Sequence, residues 1–133
     1  MALTTDDRQA ITDLINRHGH LTDQGVFDRM GELFTTDAVF DLSDFDLGVR
    51  AGLAEMAEAI RAIGDGHPVA HHVPNIVLSE SDGGTVHAMS KGIGVMPDGR
   101  CGSVVYEDVL RPGANGWRIT RRAIRIRRVP LQP

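Results

Sequence analysis

The stretch "SDGGTVHAMSKGIGVMPDGRCGSVVYEDVLRPGANGWRI", residues 81–119, decides the fold. Three turn signals punctuate it: SDGG at 81–84, PDGR at 97–100 and PGANG at 112–116. Glycine, proline and aspartate gather where a chain reverses, and the runs between them have the length of strands. Strands are therefore expected over 85–96, 101–111 and 117–128, with another at 69–79 before the first turn. Successive reversals of this kind build an antiparallel sheet.

Upstream the apolar period changes from two to 3.6. Ile11, Leu14, Ile15 and His18 recur at i, i+3, i+4 and i+7, a helical stripe that sets His18 beside three aliphatics. Thr5 is the expected cap, and Asp6 and Asp7 suit the positive end of the helix. Gly25, in TDQG (22–25), is expected to end it in left-handed backbone, leaving Asp23 at the bend. A second short helix carries Val26, Phe27, Met30, Leu33 and Phe34 on one side, and DAVFDL (37–42) reads as a short strand. A third helix, GLAEMAEAIRAIG (52–64), turns Leu53, Met56, Ile60 and Ile63 inward and closes on Gly64. Helices first and a sheet afterwards is the α+β pattern. The 133 residues suit one domain, 1–133, with VPLQP (129–133) as a short tail.

A formal charge of −4 gives no general attraction to nucleic acid or to an anionic membrane. The six arginines of RITRRAIRIRR (118–128) invite a nucleic-acid reading, but one Trp, one Tyr and four Phe are few for a stacking platform. A bulge near Thr120–Arg121 accounts for the run instead. Trp117 and Ile119 share one parity and Ile124 and Ile126 the other, so a face switch there turns Arg122, Ile124 and Ile126 inward and Arg125 and Arg127 to water. No stretch approaches a membrane span, MALTTDDRQA lacks the apolar segment of a secretion signal, and Cys101 is alone. The expectation is a cytoplasmic protein. Ser103 in CGSVV lacks the elbow of a serine hydrolase, and KGIG (91–94) has no helix after it to make a phosphate loop.

AHHVPN (70–75) holds two adjacent histidines. Neighbours on a strand point to opposite faces, so His71 and His72 diverge and cannot share one metal without distortion. With no Glu or Cys cluster nearby, no metal site is expected. One parity holds Val69, His71, Val73, Asn75 and Val77, and the other Ala70, His72, Pro74, Ile76 and Leu78. Both are mixed, and alternation alone does not choose between them.

Three segments in order, AITDLINRHGHLTDQGVFDRMGELFTTDAVFD (10–41), HHVPN (71–75) and YEDVLRPGANGWRITRR (106–122), resemble the SnoaL-like, scytalone dehydratase-like branch of the NTF2-like superfamily. They are also similar to the lindane dehydrochlorinase. The resemblance implies a cone in which three N-terminal helices pack in a strongly curved, mixed, mainly antiparallel β-sheet, with a deep pocket at the open end. It also implies an Asp–His dyad, the aspartate ending the first helix and the histidine on the strand after the third. The matching positions are Asp23 and His71, which would bring Asn75 of the same parity to the pocket and leave His72 on the flank. Asn75 is then a candidate substrate ligand, or else an amide satisfying backbone groups. Arg122 matches a pocket arginine, and His18 falls where a lysine stands in the dehydrochlorinase. Tyr106, on an apolar parity with Val104 and Leu110, offers a hydroxyl. The dehydratases' tyrosine pair is missing here.

The chemistry follows from the residue types. A neutral imidazole is a base suited to pH near 7, and a carboxylate on one ring nitrogen fixes the tautomer and steadies the imidazolium. The implied function is a cofactor-independent lyase or isomerase that takes a carbon-bound proton from a small apolar or aromatic substrate, in dehydration, dehydrohalogenation or polyketide-type cyclisation. A homodimer or higher homo-oligomer, paired through the outer sheet face, is expected with it. Two other readings stand beside this one: a non-catalytic binding or dimerisation module, and an epoxide hydrolase that would draw Asp41 or Asp108 to an arginine as a second carboxylate.

Overall fold

The structure, a computed structural model, describes residues 2–130. Met1 and residues 131–133 of the expected tail lie outside the described residues. Helix α1 spans Thr5–Asp23 and is capped by Thr4, not Thr5. The Thr4 hydroxyl accepts from the Asp7 N–H while the Asp7 carboxylate accepts from the Thr4 N–H, a reciprocal box that needs its hydroxyl three residues before Asp7, where Thr4 and not Thr5 stands. As expected, Asp23 ends the helix and Gly25 follows at φ +68°.

The second helix, Phe27–Glu32, is a 3₁₀ turn, and Phe34 belongs to strand β1 (Phe34–Asp41). β2 (Val49–Ala51) leads into helix α2 (Leu53–Ile63). Met56 and Ala59 are buried there, and Leu53 and Ile60 pack on the core. Ile63 does not turn in, being 40% exposed. Beyond it lie β3 (Ala70–His72), β4 (Val77–Glu80), β5 (Val86–Val95), β6 (Cys101–Gly113) and β7 (Gly116–Arg125).

The sheet runs β2-β1-β7-β6-β5-β3, with β4 also on β5. All pairs are antiparallel except β1 with β7, which makes the sheet mixed and ties the first strand to the last. Two irregularities set which side chains face inward. On β7, Val109 faces Arg121 while Leu110 faces Ile119, so Thr120 is the extra residue of the expected bulge. Trp117 and Ile119 before it, and Arg122 after it, are all buried. The other irregularity was not expected. The strand read at 69–79 is two strands: from His72 to Val77 is five steps, against four from Ile93 to Met89 on β5. Pro74 and Asn75, the latter at φ +61°, take up the extra residue and reverse the alternation.

The core lies between the helices and the inner sheet face, where Ile11, Leu14, Ile15, Met30, Leu33 and Ile119 are shielded almost completely. No helix among the described residues is long and apolar enough to cross a membrane.

Candidate active site

The inward positions of β5 read Val86, Ala88, Ser90, Gly92, Gly94, and they shrink along the strand. Space that side chains fill at the Val86 end becomes, at the Gly94 end, a cavity of about 820 Å³. Phe34, Phe40, Met56, Ile60, Val104 and Ile124 give it apolar walls, interrupted by His18, His67, His71, Tyr106 and Arg122. Gly92 is required by packing: a Cβ there would stand 2.5 Å from the Tyr106 ring and 2.7 Å from Val104.

Asp23 and His71 meet at this wall. Gly19, one turn before Asp23, lets α1 approach β3 so closely that a Cβ on it would lie 2.6 Å from the His71 carbonyl oxygen. Asp23 then reaches His71 twice. One carboxylate oxygen accepts from the His71 backbone N–H at 3.0 Å, and the other accepts from ring Nδ1 at 2.7 Å. A carboxylate can only accept, so Nδ1 carries the hydrogen, and in the neutral imidazole Nε2 has the lone pair. The pair is only partly screened from water, with side-chain exposures of 11% for His71 and 27% for Asp23.

Deeper in, Arg122 makes a bidentate ion pair with Asp108, Nε to Oδ1 at 2.7 Å and Nη2 to Oδ2 at 2.8 Å. Burial works against the charge of Arg122, but the charge and hydrogen bonds of Asp108 outweigh it and hold the guanidinium above its usual pKa. Its carbon sits 4.2 Å over the Tyr106 ring and 5.3 Å over that of Phe34. Nη1 is buried with no partner. Burial pushes the Tyr106 phenol up, with Arg122 opposing, so the hydroxyl keeps its proton near neutrality. His18 stands edge-on to both Tyr106 and Phe34. Burial first, then Arg122, lowers its pKa well below the usual value, so it is neutral at pH 7.

Four of the six residues singled out in the sequence thus line one cavity, and Asp23 reaches it through His71. Asn75 does not: it is exposed, in left-handed backbone, where the strand breaks. The structure also adds His67, whose ring centre lies 5.0 Å from that of His71. Its Nδ1 is 3.3 Å from the Pro68 carbonyl oxygen, and burial, with His71, pulls its pKa down. The GHP turn (66–68) carries no spacing that would have identified it. Asp41 does not approach Arg122. It accepts from Ser43 and from Arg125, and these bonds hold its pKa at about 2. Among the described residues, the two carboxylates about one arginine that an epoxide hydrolase would want are therefore not brought together, since there Asp108 alone pairs with Arg122.

The SnoaL-like domain family matches residues 4–123, nearly the whole cone. The chain belongs to the SnoaL-like family. Among solved structures, this SnoaL-like protein is similar to a proposed aromatic ring hydroxylase from Novosphingobium aromaticivorans, with 30% identity, TM-score 0.78, and 98% of this chain and 95% of that one covered. It shares the fold with ActVI-ORFA from Streptomyces coelicolor (19% identity, TM-score 0.74, 88% and 95% covered). It shares it too with LinA (16% identity, TM-score 0.74, 96% and 95% covered). Among curated proteins no relative matches the sequence.

Proposed function

We propose that this SnoaL-like protein is a cofactor-independent lyase or isomerase acting on a small, largely apolar or aromatic molecule. His71 is the base, taking a carbon-bound proton on Nε2, and Asp23 holds the tautomer and balances the imidazolium that forms. The observation that carries this reading is the 2.7 Å Asp23–His71 pair on the wall of an 820 Å³ apolar cavity. Arg122 and Tyr106 supply donors for the charge that develops when the proton leaves, on an enolate oxygen or a departing hydroxide or halide. His18, neutral and beside both, completes that end. The resemblance to scytalone dehydratase and to the lindane dehydrochlorinase supports the reaction class. Pairing of two copies through the outer sheet face is part of the proposal, supported by Val77 and Met89, which lie opposite each other and are 66% and 54% exposed.

The test is carbon-acid exchange. With indanone and tetralone in D₂O, the protein should accelerate deuterium incorporation next to the carbonyl, read by mass spectrometry. His71→Asn should abolish the acceleration, and Asp23→Asn should lower it by about 10²- to 10⁴-fold, the span of positioned general-base catalysis. Exchange that is equally fast in wild type and His71→Asn would contradict the assignment.

A further inference from the structure

The side chains that line the cavity include Arg122 in its depth and the exposed Arg100 and Arg127 at its opening, but among the described residues no Asp or Glu. Composition would favour the reverse, since the chain has 18 acidic and 14 basic residues. The nearest carboxylates are occupied by other groups. Asp108 gives both oxygens to Arg122 and Asp23 both to His71, while Asp98 accepts from Arg100 Nε at 2.7 Å. Three cationic groups keep free donors: Arg122 Nη1, buried without a partner, Arg127, which makes no ion pair among the described residues, and Arg100, which gives only its Nε to Asp98. The cavity is therefore rich in donors and poor in negative acceptors, and its remaining wall is apolar.

The geometry points to an amphipathic anion as the ligand of this cavity. It is an aromatic or alicyclic acid whose apolar body lies between the helices and the sheet. Arg127 and Arg100 hold its ionised oxygens at the opening, and a second, electron-rich oxygen reaches Arg122 Nη1. A guanidinium presents planar donors that suit a carboxylate, sulfonate or phenolate. The inference rests on the cavity being the substrate site, and it adds the charge of what enters.

Two fluorescent probes of similar size separate the possibilities: anilinonaphthalene sulfonate, an anion, and phenylnaphthylamine, its neutral counterpart. The sulfonate should bind at least about tenfold more tightly near 0.1 M salt and weaken as salt rises, while the amine should not respond to salt. The double variant Arg100→Gln/Arg127→Gln changes only exposed side chains and should remove most of that preference without altering amine binding. In wild type the ring protons of His67 and His71 should shift as the sulfonate binds. Equal or tighter binding of the amine, a preference unchanged in the double variant, or sulfonate binding that leaves both histidines unmoved would each overturn the inference. His71→Asn removes the proposed base and neither arginine. Preference retained in that variant keeps the ligand class even if carbon-acid exchange is absent, so the two readings fail separately.

Discussion

Asp23 makes two hydrogen bonds to His71, and they do different work. The bond from the backbone N–H fixes where the strand sits against the end of α1, while the bond from Nδ1 fixes which nitrogen is basic. His18, by contrast, is a partly buried imidazole with no anion beside it among the described residues. Burial lowers its pKa, and Arg122, His71 and His67 add to the effect. The unfolded chain binds a proton at His18 near pH 6.5 and the folded chain does not, so stability should fall as pH drops below about 6.5 toward the folded value. In a series of melting curves from pH 8 to pH 5, His18→Gln should flatten that decline. A variant that loses stability as steeply as wild type would show that another group titrates. The helical stripe made His18 visible in the sequence, and TDQG marked Asp23 as a helix end. The choice of His71 over His72 needed the family resemblance, because both parities of that strand mix apolar and polar residues.

At the scale of elements, the meeting of α1 with β3 decides whether the site exists. Gly19 has no special backbone conformation, and its role is tertiary. Gly19→Ala would gain about 1 kcal/mol of helix propensity, but its methyl would stand 2.6 Å from a backbone oxygen that has little room to move. Overpacking of that kind costs about 1–3 kcal/mol, so a net loss of melting temperature is expected. Carbon-acid exchange should fall further than stability does, because the helix end that carries Asp23 is pushed from His71. A variant with wild-type exchange would show that the close approach is dispensable. This contact could not be read from spacing, and neither could the break at Pro74–Asn75. Alternation assumes one residue per step, and an added residue reverses every face after it. The Thr120 bulge was legible because apolar residues stand on both sides of it and change parity across it. The Asn75 break has mixed residues on both sides and left no such trace.

For the whole molecule, the cone is a compromise between burial and an open interior. β5 tapers from valine to glycine, so the sheet packs on helices at one end and encloses space at the other. The turn signals and the change of apolar period were enough to predict helices followed by an antiparallel sheet, and its curvature came with the resemblance. The resemblance implied a mixed sheet, but the parallel pairing of β1 with β7 that makes it so was not legible, since it joins segments far apart in the chain. At the base of the open end, Arg122 and Asp108 are almost fully buried, with side-chain exposures of 2% and 0%. A buried pair of this kind contributes little net stability but costs about 3–5 kcal/mol to break, so its place beside a cavity fits a role in what the cavity binds. The account as a whole requires that His71 present a basic Nε2 to that cavity, with Nδ1 protonated and held by Asp23. Ring ¹⁵N NMR of His71 at pH 8 tests this most directly. The predicted result is a protonated, hydrogen-bonded Nδ1 and an unprotonated Nε2, with the preference lost in Asp23→Asn. A hydrogen found on Nε2 in the wild type, or a tautomer indifferent to Asp23, would contradict it.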